Sequence, residues 1–274
     1  MPLLPPLNRP ICQWNGQRVW IIGASRGIGA AVAQRLASLG AHLYLSSRDC
    51  TPLNLWHDSL PQSQQEHVIL LPMDIENSQE VSHAAQKIHG AWEHIDLVLI
   101  AAGVYDALRA TDFCLEQLPS VQQTIGINLL GPYHVLAAIL PRMRTQRHGH
   151  VAIISSVAGY NGLPRALAYA PSKAALNNLC EGLYFELRPL GIGISRICPG
   201  FVATDMTAQA DYTMPALISA DDAANEIIAG LARGAFEIHF PRHFTFLLKV
   251  LQWLPRRLYF PLLALGVDRA EKPR

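Results

Sequence analysis

Residues 18–40 run RVWIIGASRGIGAAVAQRLASLG, and the fold can be worked out from them. Arg18 to Gly23 is a short apolar run rich in β-branched residues, the pattern of a strand. Ile28, Val32, Leu36 and Leu39 then recur at i, i+4, i+8 and i+11, along one face of a helix. Between the two lies Gly23-Ala24-Ser25-Arg26-Gly27-Ile28-Gly29. Glycines there let the main chain come close to a ligand. The helix start supplies unpaired N–H groups and the positive end of a dipole, which together suit a pyrophosphate.

The same alternation continues outward. Strands are expected at 42–47, 67–74, 95–103, 150–156, 193–200 and 238–240. Helices are expected at 78–89, with Ser78 as N-cap, at 117–144 and at 169–188. The run 95–103 is almost purely apolar, as for a strand buried on both faces. This βαβα order implies α/β architecture: a doubly wound parallel sheet of the Rossmann type, with right-handed crossovers and helices on both faces. The organisation expected is a loose N-terminal arm over 1–14, a single Rossmann-fold catalytic domain over 15–240, and an apolar, basic C-terminal helical appendage over 241–274.

Composition narrows the function. The chain has 274 residues, 50% hydrophobic and 16% charged, enough to build a large core. A formal net charge of +1 gives no nucleic-acid footprint. The five cysteines are widely spaced without a C-x-x-C, which argues against a disulfide framework and a zinc site. They fit a reducing compartment, so a cytoplasmic location is expected and no metal. Three prolines among the first six residues break any signal-peptide core, and no run of 18 apolar residues predicts a spanning helix.

A second cluster carries chemistry. Tyr169 and Lys173, in AYAPSKAAL, lie one helical turn apart on one face. A phenol with pKa near 10 is a poor proton carrier at neutral pH, and a nearby ammonium favours its ionised form. Ser156 lies 13 residues before Tyr169 at the end of a strand, with Ser155 as the neighbouring alternative.

These motifs resemble the short-chain dehydrogenase/reductase family. The glycine spacing is G-x-x-x-G-x-G, with Ile22 where the family usually carries Thr. Ala101-Ala102-Gly103 matches the family's Asn-Ala-Gly with Ala in place of Asn. Agreement extends over about 180 residues, from Gly23 to Thr204. The resemblance implies a catalytic set of Asn128, Ser156, Tyr169 and Lys173, in which Tyr169 moves the proton and Ser156 orients the substrate oxygen. Lys173 would tune Tyr169 and bind the nicotinamide ribose, and Asn128, in a kinked helix, would order a water. The cofactor would lie along Gly23, Ser25, Arg26, Gly27, Ile28, Gly29, Ser47, Arg48, Ala101, Ala102 and Gly103. Asp74 and Ile75 would hold the adenine, and Pro199, Gly200, Val202 and Thr204 would cover the nicotinamide. The second strand ends in Ser46-Ser47-Arg48 with no acid at its tip, Asp49 coming one residue late. Arg26 and Arg48 therefore favour a 2′-phosphate and NADP(H).

The activity implied is NADP(H)-dependent reduction of a carbonyl to an alcohol, or the reverse. The alternative is an NADP(H)-binding sensor or scaffold without turnover. Substrate-side candidates are Val104 and Tyr105, residues 160–167 and residues 201–214, mostly apolar, so a small apolar carbonyl or alcohol is expected. Arg165 reads either as a contact for an acidic group or as a surface arginine. Residues 239–274 carry seven Lys+Arg against two Asp+Glu, a formal +5, while the rest of the chain is −4. On a helix, Thr245, Lys249, Gln252 and Arg256 form one narrow polar stripe, and Pro255 ends that helix. A second apolar segment, 258–265, is interrupted by Pro261. Three readings stay open for residues 244–265: a peripheral contact on the inner face of a membrane, a cover over the substrate cleft, or a subunit contact. The family analogy implies a homo-oligomer, dimer or tetramer.

Overall fold

The computed structural model describes residues 5–208 and 214–270. Residues 209–213, among the substrate-side candidates, and residues 1–4 of the arm lie outside the described residues.

Seven strands form one parallel sheet in the order β3-β2-β1-β4-β5-β6-β7. They are β1 (Arg18–Ile22), β2 (His42–Ser46), β3 (Val68–Leu70), β4 (Leu97–Ile100), β5 (His150–Ile154), β6 (Gly193–Pro199) and β7 (Glu237–Phe240). The helices are α1 (Gly27–Ser38), α2 (Thr51–Ser59), α3 (Gln62–Gln65), α4 (Ser78–Ala91), α5 (Leu118–Ile125), α6 (Gly131–Gln146), α7 (Tyr169–Leu187), α8 (Asp205–Ala208), α9 (Ala220–Ala232), α10 (Arg242–Gln252) and α11 (Arg256–Ala270). This is the expected doubly wound Rossmann architecture. The chain winds outward from β1 to β3, then restarts at β4 and winds the other way. The resulting switch point between β1 and β4 opens a crevice at the strands' carboxyl ends.

Side-chain alternation builds two cores. Val19, Ile21, Leu43, Leu97 and Leu99 meet Val32 and Leu36 of α1 and Ile227 and Leu231 of α9. On the other face Trp20, Ile22, Val98, Ile100 and Ile153 meet Val81 and Ile88 of α4, Val135 and Ile139 of α6 and Leu176 of α7.

Several expectations are corrected. α2 and α9 were not foreseen, although Ser219 caps α9 by accepting from Asp222 N–H. The cap of α4 is Asn77, not Ser78; its side chain accepts from Gln79 and Glu80 N–H. Residues 5–14 are not loose. The Asn8 amide pairs with both Ile194 N–H and Ile194 C=O, and Trp14 is buried in the first core. The 117–144 helix continues to Gln146 and contains one π turn, Gly126–Leu130. By length and composition the run Leu115–Gln146 could cross a membrane, but Ile127, Val135, Ile139 and Met143 pack in the core. Pro255 separates α10 from α11 as expected, whereas Pro261 lies inside an unbroken α11.

Candidate active site

The glycine turn sits where β1 meets α1. Gly23 has φ +86°, and a Cβ there would lie 2.5 Å from Ala102 N; one on Gly29 would lie 2.1 Å from Gly23 O. Both positions therefore demand glycine. With Ile22 buried in the core where the family's Thr stands, the turn is tied by Gly23 and Ala24 N–H, which donate to Ser46 C=O at 2.8 and 3.2 Å. No side chain caps α1 at Arg26, so the orphan N–H groups of its first turn face the crevice. A dinucleotide diphosphate fits this cradle.

The crevice is one continuous cleft of about 990 Å³. Gly23, Ser25, Arg26, Gly27, Ile28 and Gly29 line it, with Ser47, Arg48, Ile75, Ala101, Ala102 and Gly103. So do Ser156, Tyr169, Lys173, Pro199, Gly200, Val202 and Thr204. Arg26 and Arg48 are exposed at its rim. Two expected residues stand outside the lining. The Asp74 carboxylate instead accepts Glu76 N–H at 3.0 Å, capping the turn before α4, and Met73 takes its place along the wall. Asn128 lies behind the wall in the π turn, 1% exposed. Its amide accepts Val104 N–H at 2.8 Å and donates to Val104 C=O at 2.9 Å and Ser172 Oγ at 3.2 Å. The side chain thus fastens α5–α6 to the β4 loop and to α7.

Lys173 is 3% exposed and donates to Ile154 C=O at 2.9 Å, which fixes its ammonium 5.6 Å from the centre of the Tyr169 ring. Burial lowers its pKa to about 8. The choice between the two serines is made by orientation. Ser155 Oγ is spent on Lys173 C=O at 2.9 Å, tying β5 to α7. Ser156 caps the 3₁₀ turn Val157–Gly159, accepting Ala158 N–H at 3.1 Å; both serines line the cleft with Tyr169, and the Ser156 hydroxyl proton has no protein acceptor among the described residues. Tyr105 stands edge-on to Tyr169, with ring centres 5.1 Å apart, and donates to Arg165 C=O. Arg165 is partly buried and lines the cleft, so it is not a plain surface arginine.

Composition did not reveal how the tail docks. Phe244, Leu247, Leu248 and Leu251 of α10 and Leu262 and Leu263 of α11 line the far end of the cleft. The predicted polar stripe faces the body of the protein. Thr245, fully buried, shares a 2.6 Å hydrogen bond with His239. Lys249 pairs with Glu237, Gln252 donates to Tyr160 C=O at 3.0 Å, and Arg256 donates to Asn161 Oδ1 at 3.0 Å. Glu237 also accepts from Tyr160 OH at 2.7 Å and pairs with Arg196 at 3.3 Å. Burial pushes its carboxyl up, but these donors and charges hold it below the ordinary value. The tail thereby grips Tyr160 and Asn161, in the segment just after Ser156.

At the amino ends of the central strands β4 and β5, His94, Asp96 and His148 bring three metal-type donor atoms within 4.8 Å of one another. The sequence reading had not foreseen this cluster. Arg18 sets a guanidinium 3.1 Å from His94 Nδ1, which opposes a cation there.

The sheet and the cleft define a doubly wound α/β protein of the Rossmann kind. The family profile for short chain dehydrogenase matches residues 17–214, and the chain belongs to that family. An uncharacterized oxidoreductase of Myxococcus xanthus (strain DK1622) is 30% identical over 241 residues, covering 87% of this chain and 93% of its own. One from Staphylococcus haemolyticus (strain JCSC1435) is 31% identical over 221 residues, covering 81% and 93%. A short chain dehydrogenase from Burkholderia cenocepacia J2315, solved in complex with NADP, shares the fold at TM-score 0.78 and 24% identity, over 92% of this chain and 99% of its own. One from Burkholderia phymatum, in complex with NAD, aligns at TM-score 0.77 and 23% identity, over 96% and 99%.

Proposed function

We propose that the chain is an NADP(H)-dependent oxidoreductase that reduces an apolar, lipid-like carbonyl compound to the alcohol, or runs the reverse. The observation that carries this reading is the convergence of Ser156, Tyr169 and the buried Lys173 at one end of a cleft whose other end is the glycine cradle. When bound, the cofactor supplies or accepts the hydride. Tyr169 OH would deliver the proton to the carbonyl oxygen, so that this proton and the cofactor's hydride together account for the alcohol. Ser156 Oγ holds that oxygen. The Lys173 ammonium stabilises negative charge on the Tyr169 oxygen and reaches the nicotinamide ribose. Asn128 holds the β4 loop against α7, and its water-ordering role falls to the main chain of the π turn, because its amide is engaged. Arg26 and Arg48 at the rim support a 2′-phosphate, and Ser47, Met73 and Ile75 along the wall support the adenosine. The NADP in the Burkholderia cenocepacia structure supports this choice, and titration with NADPH beside NADH, the cofactor type of the Burkholderia phymatum structure, tests it.

The cleft walls around Tyr105, Leu163, Phe201 and Leu248 support the apolar substrate. The five free thiols support a cytoplasmic location. The exposed side chains of α10 and α11 support a peripheral membrane contact. Leu130, Tyr133 and Phe185, exposed on the long helix and on α7, support a homo-oligomer. The test is NADPH oxidation over a panel of carbonyl compounds beside the Tyr169→Phe variant. Activity should fall by at least about 100-fold with NADPH binding retained. Undiminished turnover in the variant would overturn the assignment. NADPH binding without any turnover would favour the sensor reading.

A further inference from the structure

Helices α10 and α11 carry two sets of apolar side chains, facing opposite ways. Phe244, Leu248, Leu251 and Leu263 face the cleft. Phe246, Val250, Trp253, Leu258 and Phe260 face outward and are 63, 47, 89, 55 and 62% exposed. Leu247 and Leu262 belong to both sets: they line the cleft and are still 55 and 49% exposed. The outer ridge cannot roll inward, because Thr245, Lys249, Gln252 and Arg256 hold the tail on the body by their hydrogen bonds. A fixed apolar ridge therefore leads over a lip of two leucines into the cleft that holds Tyr169. The exposed Arg26 and Arg48 give a cofactor a polar rim of its own, so it does not need this route.

We propose that the Leu247–Leu262 lip is a portal for membrane-dissolved substrate. This rests on the carbonyl-reductase reading. An anionic bilayer seats on the Phe246–Trp253–Phe260 ridge, and a long-chain aldehyde or ketone slides past the lip, carbonyl first, to Tyr169. Its chain remains among the leucines of α10 and α11. Charge selects the occupant. Residues 239–274 carry a formal +5; Lys249 and Arg242 spend their charge on Glu237 and Glu226 of the body, while Arg256 and Arg257 stay exposed beside the aromatic row, which suits the boundary between headgroups and acyl chains. A second copy would bring two +5 tails together.

The test uses the full chain with NADPH and two probes: octanal in solution, and hexadecanal in vesicles of phosphatidylcholine with or without phosphatidylglycerol. The variant is Phe246→Glu combined with Trp253→Glu, neither of which lines the cleft. The wild type should float with the anionic vesicles, release in high salt, and reduce hexadecanal at a rate set by its density in the bilayer. The variant should lose vesicle binding and hexadecanal turnover by about tenfold or more, and keep octanal turnover within about twofold. Equal hexadecanal turnover in both proteins overturns the portal, as does a wild type that ignores vesicles. A wild-type dimer that the variant splits, without vesicle binding, assigns the ridge to a subunit contact and overturns it too. If neither aldehyde reacts while another carbonyl shows Tyr169-dependent turnover, the portal fails and the reductase reading stands. If no carbonyl does, the reductase reading itself falls.

Discussion

Helices α1 and α10 both flank the cleft, and they dock differently: α1 by apolar side chains, α10 by a polar stripe beside Phe244 and Leu248, which pack on Val157, Tyr160 and Cys198. α1 turns Val32, Ala33 and Leu36 to the sheet and leaves Gln34 and Arg35 in solvent. α10 turns Thr245 and Lys249 to the body and leaves Phe246, Val250 and Trp253 outside. The surface each helix lands on explains the difference. Beneath α1 the sheet offers Val19, Ile21 and Leu43, and only apolar side chains gain there. Beneath α10 lie, beside the apolar patch of Val157 and Cys198, Glu237, His239 and the Tyr160 carbonyl, polar groups that need partners. Leaving a buried carboxylate unpaired costs more than leaving a phenylalanine in water. Amphipathicity thus tells which residues share a face, while the partner surface decides which face goes in.

The comparison breaks first at Glu237. Replacing it with Leu strands Lys249 as a partly buried cation beside an apolar side chain and leaves Arg196 with Glu181 as its remaining acid. Global stability, followed by denaturant unfolding, should drop by about 3 kcal/mol, and α10 should become the most protease-sensitive helix. An unchanged unfolding midpoint would mean that the polar stripe does not hold the tail.

Binding at the opposite rim should respond next. Arg48→Asp removes one charge-assisted contact and adds a repulsion, so NADPH affinity should fall by at least about tenfold, with NADH far less affected. Titration by cofactor fluorescence reads both. A wild type that prefers NADH would remove the basis for assigning Arg26 and Arg48 to a phosphate.

Lys173 contrasts with Lys249, because it is buried without a carboxylate partner among the described residues. With its folded pKa near 8 and an unfolded value near the ordinary 10.5, the folded chain holds fewer protons between those limits. Stability therefore rises with pH through that window and is lower below about pH 8. Lys173→Met should abolish turnover yet stabilise the fold at neutral pH by about 2 kcal/mol, after the lost bond to Ile154 C=O is allowed for. The gain should vanish above the ordinary lysine value. A destabilised variant at pH 7 would mean that its hydrogen bond outweighs its desolvation.

The smallest effect sharpens the contrast on the outer face. Trp253→Ser, at a position 89% exposed, should change stability by no more than about 0.5 kcal/mol in vesicle-free buffer. A larger loss would show that the ridge packs against protein in solution.

Much of this molecule is local in origin, and was therefore legible in the chain. The glycine turn, the helical spacing of Tyr169 and Lys173 and the apolar run before Gly103 depend on backbone sterics and short-range periodicity, which neighbours in sequence determine. The parallel sheet follows from their order. Other features needed the fold. Ser155 and Ser156 are chemically identical neighbours that both line the cleft, and only the approach of Lys173 C=O, which takes the Ser155 hydroxyl as donor, tells them apart. Asp74 is on the expected loop, but the nearby Glu76 N–H claims its carboxylate. The arm's anchoring depends on Asn8 meeting Ile194, 186 residues away. The tail's stripe was visible as a pattern, whereas its inward direction depended on Glu237 and His239 of β7 and Tyr160 of the stretch after Ser156 arriving beneath it from two separate segments. A hydrogen-bond partner far away in sequence leaves no periodicity to read. It becomes definite only when the sheet has brought the two segments within about 3 Å.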